Sequence, residues 1–268
     1  MWEGDVWVAV RAARAGADIV RRGFTEDLVT EMKGAVDPVT AVDREAEEAI
    51  KRVIGAHFPS DAILAEESGG ADWRGRRVWI VDPLDGTVNF VNRIPQVAVS
   101  VALWSDGEPL VGVVVDVARD EEFVAASGEG AHSNGKPIHV SEAPHLADSL
   151  LVTGFPYDRQ EHARSYLDVM EQVMIRSRGT RRMGAAALDM AWVACGRFDG
   201  YWEHGGPKGV KPWDAAAGTL LVTEAGGMAT DSKGAAHDLE PAAFVATNGK
   251  IHEELRQIVD DHMPEHLR

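Results

Sequence analysis

Trp79-Ile80-Val81-Asp82-Pro83-Leu84-Asp85-Gly86-Thr87-Val88-Asn89-Phe90 is the most informative stretch of the 268-residue chain. Three apolar residues, two of them β-branched, predict a buried strand. It ends abruptly in two carboxylates held apart by Pro83 and Leu84, followed by a turn offering Gly86 and Thr87. Strand ends that run into glycine-containing turns are where mixed α and β folds place ligands. Two carboxylates this close repel one another unless they are protonated, hydrogen-bonded or bridged by cations. Hard oxygen ligands of this kind suit magnesium, which keeps several waters and shares phosphate oxygens. Gly86 lets backbone amides approach a phosphate, and the Thr87 hydroxyl can polarise a water. The plainer alternative is an Asp-Gly turn with Asp82 as a cap, and spacing alone leaves it open.

Upstream, Ile63-Leu64-Ala65-Glu66-Glu67-Ser68 repeats the theme of a short apolar strand ending in paired carboxylates, although surface Glu pairs are common. Downstream, Lys211-Pro212-Trp213-Asp214-Ala215-Ala216-Ala217-Gly218 places an aspartate at the start of a small-residue helix, where its ordinary role is a cap. Asp37-Pro38-Val39-Thr40-Ala41-Val42-Asp43 reads as a turn and helix start, with Thr40 or Asp43 as cap.

Outward from these segments the chain divides into two styles. Residues 5–22 and 42–58 carry apolar side chains at helical spacing. Short β-branched runs at 63–65, 78–81, 97–104, 110–117 and 122–125 then read as a meandering sheet. Ser133-Asn134-Gly135-Lys136 is a tight-turn signal. Beyond about residue 146 strands and helices alternate: strands near 150–153, 198–202 and 243–247, helices near 158–175, 185–195 and 214–225 and from about 250. No repeat or linker interrupts the chain, which is read as a single unit over 1–268, with an N-terminal α+β half to about 145 and a C-terminal α/β half after it.

Composition narrows the function. A net charge of −16, from 43 acidic and 27 basic residues, repels nucleic acid and anionic lipid on average. An anionic phosphate would be repelled as well, unless divalent cations occupy an acidic cluster and reverse the local sign. One cysteine, Cys195, rules out an intrachain disulfide and suits a reducing, cytoplasmic home; in the run Met190–Cys195 it is expected to be a small buried hydrophobe. The N-terminus reads as a helix rather than a signal peptide, and no run approaches the ~18 apolar residues of a membrane span.

Taken together and in this order, Asp82–Phe90, Glu66-Glu67-Ser68 and Trp213–Gly218 resemble the inositol monophosphatase family, within the larger group of lithium-sensitive, magnesium-dependent sugar phosphatases. Val39-Thr40 with Asp43, Gly130-Ala131 with Asn134-Gly135, Thr153–Tyr157, Arg182–Ala187 and Gly200–Glu203 extend the resemblance over nearly the whole chain. The resemblance implies a layered αβαβα sandwich, usually dimeric, hydrolysing a small phosphate monoester such as myo-inositol 1-phosphate with two to three magnesium ions. By similarity Glu66, Asp82 and the Leu84 carbonyl hold one ion, and Asp82, Asp85 and Asp214 a second, with a third leaning on Glu66 through waters. Thr87 with Glu66 orients the attacking water, supported from behind by Asp43. Gly86 and Thr87 bind the phosphate, and Ala186, Glu203, Asp85 and Asp214 lie on the substrate. Lithium sensitivity is implied by analogy.

Two departures from the family pattern stand out. The segment from Glu203 to Asp214 is several residues longer than usual, which places the role of Glu203 and the substrate preference in question. The stretch before Asp37 is short, so Lys33 is matched to the family's lysine only loosely. Fructose 1,6-bisphosphate, histidinol phosphate, a phosphoadenosine nucleotide and NADP are alternative substrates within the larger group. An alternative of another class is a partner of the transcription machinery, favoured only by the basic run Arg176, Arg178, Arg181 and Arg182, which in an acidic chain reads more readily as a dimer-interface or surface-pairing feature. The ten histidines are expected at surface or cap positions, and Trp2 and Trp7 as helix-packing residues.

Overall fold

The computed structural model describes residues 3–25, 30–32, 38–70, 77–205, 208–236, 238–239 and 243–264. Lys33, Asp37, Trp2, Gly206, Pro207, His237 and His266 lie outside them. Helix α1 (Glu3–Gly23) is followed by a small ribbon of β1 (Thr30–Met32) and β2 (Pro38–Thr40), then by α2 (Ala41–His57). The first sheet is built from β3 (Ala62–Ala65), β4 (Gly69–Gly70), β5 (Val78–Asp85), β6 (Ala98–Ser105), β7 (Glu108–Asp116), β8 (Glu121–Ala126), β9 (Gly130–Ser133) and β10 (Lys136–Pro137). Their order is β10-β9-β8-β7-β6-β5-β3-β4, with only β3 and β5 parallel. A short helix α3 (Thr87–Val91) follows β5. The second sheet contains β11 (Leu150–Thr153), β12 (Gly179–Arg181), β13 (Gly200–Glu203), β14 (Met228–Asp231) and β15 (Phe244–Thr247), in the order β12-β11-β13-β15-β14. Helices α4 (Arg159–Arg176), α5 (Ala186–Ala194), α6 (Pro212–Glu224) and α7 (His252–His262), with a 3-10 turn at Leu146–Asp148, complete the described elements.

The two-residue period of the strands builds five layers. In β5, Trp79 and Val81 join α1 and α2 in one core, whereas Val78 and Ile80 point the other way, onto α5 and α6. In the second sheet Val152, Tyr201, Phe244 and Ala246 meet the same two helices from the far side. Leu151, Trp202 and Val245 alternate outward onto α4 and α7. The order is therefore helix, sheet, helix, sheet, helix, as the resemblance implied. Each buried Val, Leu or Phe contributes roughly 1.5–3 kcal/mol relative to exposure. Helices α5 and α6 are covered on both sides, which is why Ala187 to Ala194 and Ala215 to Val222 are buried all round. The layers touch closely: a Cβ on Gly112 of β7 would stand 2.8 Å from the Ala217 carbonyl of α6, and one on Gly218 would stand 2.7 Å from Met190 of α5.

Several details depart from the sequence reading. Strand β5 continues through both carboxylates to Asp85, with a register shift between Asp82 and Asp85 where Pro83 has no N–H to offer. The turn that follows is helical, forming α3 behind Gly86, which adopts φ 92°. Trp7 is 47% exposed, meeting His57 edge-on and lying under Arg11. His204 and His252 are buried, against the expectation of surface positions; His252 bridges the Thr230 and Thr247 hydroxyls. Cys195 is half-buried beside the Trp192 carbonyl, and burial pushes its thiol up. The Asn134-Gly135 hairpin turn forms as expected, both residues having positive φ.

Candidate active site

Three chain segments deliver four carboxylates to one cavity of about 640 Å³. Asp82 and Asp85 come from the end of β5, Glu66 from the turn after β3, and Asp214 from the first turn of α6. Parallel pairing of β3 with β5 sets Ala65 beside Val81, so both acidic strand ends emerge on the same edge. Leu84, Gly86, Thr87, Ala186 and Glu203 line the same cavity. Asp43 does not; it is fully buried behind the site.

Local chemistry fixes each of these groups. Thr40 caps α2, and Asp43 closes a capping box by accepting from the Thr40 amide at 2.8 Å and its hydroxyl at 2.6 Å. The other Asp43 oxygen lies 3.1 Å from the Thr87 hydroxyl, which is also 3.1 Å from the Leu84 carbonyl. Thr40 and Asp43 were read as alternative caps; they are the two ends of one. Asp82 accepts from the Leu84 amide at 3.0 Å, holding the turn shut. Helix α5 has no capping side chain of its own. Asp85 performs that task across the molecule, accepting from the Leu188 amide at 3.1 Å with the Ala186 and Ala187 amides close by. Asn89 ties the same seam: its side-chain amide donates to the Gln96 carbonyl at 2.9 Å and the Met183 carbonyl at 2.8 Å. Gly86 is required here, because a Cβ would stand 2.8 Å from the Gln96 carbonyl and the backbone has positive φ.

Burial and mutual repulsion dominate the electrostatics. Asp82 is held well above the usual carboxylate range, first by burial and then by the charges of Glu66, Asp85 and Asp214. Asp214 is raised in the same way, although the Lys211 amide opposes the shift. Asp85 is pushed up to about 7 by burial, against the pull of the α5 amides. Asp43 is raised by burial and opposed by Thr40 and Thr87. A carboxylate set that strains against its own charge matches hard divalent cations in donor chemistry. Among the described residues no three acidic, histidine or cysteine side chains converge as a ready-made ion cage; the four ring the cavity instead.

The facing wall holds residues that sequence reasoning missed. Asp189 lines it from within α5, 1% exposed, one oxygen without a hydrogen-bond partner. Burial, Asp85 and Glu203 hold it well up, and Arg182 opposes them. A lone acid inside the apolar run of α5 was the available signal. Arg182, read as part of a basic run with a dimer-interface or surface-pairing role, lines the cavity, as do Tyr157, Arg159, Lys208 and Lys211. Glu203 is buried and accepts from the Tyr201 hydroxyl. It closes so tightly on Gly154 that a Cβ there would stand 2.1 Å from its carboxylate.

The pattern of the inositol monophosphatase family matches residues 3–263. The chain belongs to this family. Among its relatives, the Nus factor SuhB of Pseudomonas aeruginosa is 40% identical over 272 residues, covering 97% of each chain. The inositol-1-monophosphatase of Synechocystis is 43% identical over 244 residues, 91% of this chain and 84% of the other. Among solved structures, the inositol monophosphatase of Anabaena superposes with a TM-score of 0.85 at 38% identity, covering 97% and 96% of the two chains. The extragenic suppressor protein suhB of Bartonella henselae gives 0.87 at 38%, covering 94% and 96%. Membership of the inositol monophosphatase family supports phosphatase activity of a metal-dependent kind. None of the described helices is long and apolar enough to cross a membrane.

Proposed function

We propose that the chain is a magnesium-dependent phosphatase that hydrolyses a small phosphate monoester, with myo-inositol 1-phosphate the leading substrate. The observation that carries this reading is the convergence of Glu66, Asp82, Asp85 and Asp214, from separate segments, beside Gly86 and Thr87 in one cavity. Those four carboxylates, with the Leu84 carbonyl, would hold two to three ions. When bound, magnesium relieves their repulsion, neutralises the incoming phosphate and lowers the pKa of a water to supply the nucleophile.

The chain's own groups do the positioning. The Thr87 hydroxyl has one proton, which Asp43 or the Leu84 carbonyl takes, leaving lone pairs to accept from the attacking water. Asp43, buried and doubly bonded to Thr40, fixes that hydroxyl from behind. Gly86, with no Cβ to meet the Gln96 carbonyl or Ala185, lets amides approach the phosphate. Ala186, Glu203, Asp85 and Asp214 border the alcohol. The reaction is a direct in-line displacement and needs no nucleophilic side chain. The unit works as one domain in the cytoplasm, as a homodimer and with lithium sensitivity.

Magnesium-dependent phosphate release from inositol 1-phosphate, fructose 1,6-bisphosphate, histidinol phosphate, phosphoadenosine phosphate and NADP tests the reading. Turnover that disappears in Asp82→Asn supports it; a fully active Asp82→Asn removes the metal assignment. A second reading rests on the 40%-identical relative named a Nus factor: association with the transcription machinery. Charge reversal at exposed Arg181, with RNA binding and turnover measured together, separates the two.

A further inference from the structure

Among the described residues, every buried carboxyl but one has a hydrogen-bond donor. Asp43 is held by Thr40, Glu47 by the Glu67 amide, and Asp116 by Arg119 and two backbone amides. Asp158 and Glu203 accept from tyrosine hydroxyls, Asp82 from the Leu84 amide and Asp85 from the Leu188 amide. Asp189 is the exception: it is 1% exposed, and one of its oxygens is sealed from water without a partner. A buried carboxyl in that state costs folding free energy, so its presence calls for a use.

Its place in the fold says what that use is. Ala186 and Asp189, three apart on α5, share one helix face, and both line the cavity. Glu203 lines it from β13, and with Asp85 it is near enough to act on the Asp189 charge. Every other residue of α5 is apolar, and the helix is covered on both sides, so its packing gives no reason for a carboxyl here. The alcohol side of the cavity therefore presents two carboxyls from neighbouring elements. Glu203 has its protein donor in Tyr201, whereas Asp189 is left to a donor that arrives with the ligand.

Resting on the phosphatase reading above, we infer that Asp189 is a specificity-determining residue that accepts a hydroxyl of the substrate's alcohol part, beside the hydroxyl met by Glu203. The substrate class is a polyol phosphate with at least two free hydroxyls near the ester carbon. Such a hydroxyl supplies the donor that the fold withholds. An alcohol without it leaves the buried carboxyl unsatisfied and forfeits the bond, which is how a site discriminates strongly. The same carboxyl is thus a cost to the unliganded protein and a source of selectivity in the complex.

Asp189→Ala and Asp189→Asn test this, with myo-inositol 1-phosphate and glycerol 2-phosphate as polyol esters and phenyl phosphate, which has no hydroxyl, as the control. In Asp189→Ala the kcat/KM for a polyol ester should fall about tenfold or more, while that for phenyl phosphate stays within about twofold. Asp189→Asn keeps an acceptor and should recover most of the loss. The metal-free Asp189→Ala protein should melt no lower than wild type, because the substitution breaks no protein hydrogen bond. Equal losses on polyol and phenyl esters, or no loss on either, overturn the inference. A melting temperature lowered by several degrees also overturns it, by giving Asp189 a structural role. Absence of hydrolysis for every compound would overturn the phosphatase reading instead. Calorimetric titration with myo-inositol 1-phosphate in magnesium then still decides Asp189. Binding about tenfold weaker in Asp189→Ala supports the inference; equal affinity, or no binding to either protein, refutes it.

Discussion

Replacing Asp85 by asparagine should abolish turnover and yet stabilise the chelator-treated protein. The folded protein holds this carboxyl at about 7 against an ordinary 3.8, a difference corresponding to roughly 4 kcal/mol once the group is ionised in both states. The sign follows from the raised value. The folded state binds the proton more tightly, so stability is fully present below pH 4 and is lost as pH rises through about 7. Asparagine keeps the shape and can still accept from the Leu188 amide, but it never ionises. At pH 8 in EDTA the variant should therefore be more stable by about 2–4 kcal/mol, or roughly 5–10 °C in melting temperature. At pH 5 the gain should shrink to a fraction of that. Magnesium should reverse the order, because it stabilises the wild type by binding only the folded state and the variant lacks a ligand. Calorimetric melts at the two pH values, with and without magnesium, make the comparison. An Asp85→Asn protein no more stable than wild type at pH 8 in EDTA would refute the account of the site as a cluster of strained carboxylates.

Thr87→Ala should reduce turnover about a hundredfold, while Thr87→Ser retains most of it, since the hydroxyl between Asp43 and Leu84 is what matters; steady-state kinetics decide. Asn89→Ala removes the donor shared by the Gln96 and Met183 carbonyls and should cost about 1–3 kcal/mol in urea denaturation. Gly154→Ala pushes Glu203 off its place and should raise KM about tenfold with little change in melting temperature; an unchanged KM would show that Glu203 does not meet the substrate. Gly112→Val forces β7 away from the α6 backbone and should destabilise by roughly 3 kcal/mol or more, seen as a lowered denaturation midpoint.

The layered fold followed from the family resemblance and not from periodicity. Val78, Trp79, Ile80 and Val81 are all apolar, so the run predicts a strand buried on both faces without saying which residue meets which layer. Asp82, Asp85, Glu66 and Asp214 stood out because each terminates or begins an element; their grouping came from the family resemblance, and the structure brings all four to one cavity. What was not legible came from distance. Arg182 belongs both to a basic run and to the Arg182–Ala187 stretch of the resemblance, but nothing around it in sequence says that it folds over Gly184 into the cavity. Asp85 as the cap of α5 joins residues 103 positions apart, and a missing local cap at Ala185 was too faint to suggest it. The helical geometry of α3 depends on Gly86 packed beneath Gln96, again a tertiary condition.

The inner helical layer has a consequence for how such an enzyme can change. Gly112 against Ala217, and Gly218 against Met190, leave no slack between β7 and α6 or between α5 and α6, the helix whose first turn carries Asp214. Enlarging any of these residues would displace the Asp214 carboxylate, so the floor of the cavity is frozen by packing. Tyr157, Arg159, Lys208 and Lys211, at the rim, are exposed or half-buried. New substrate preferences can be written on that rim by insertion and charge exchange while the hydrolytic floor stays as it is.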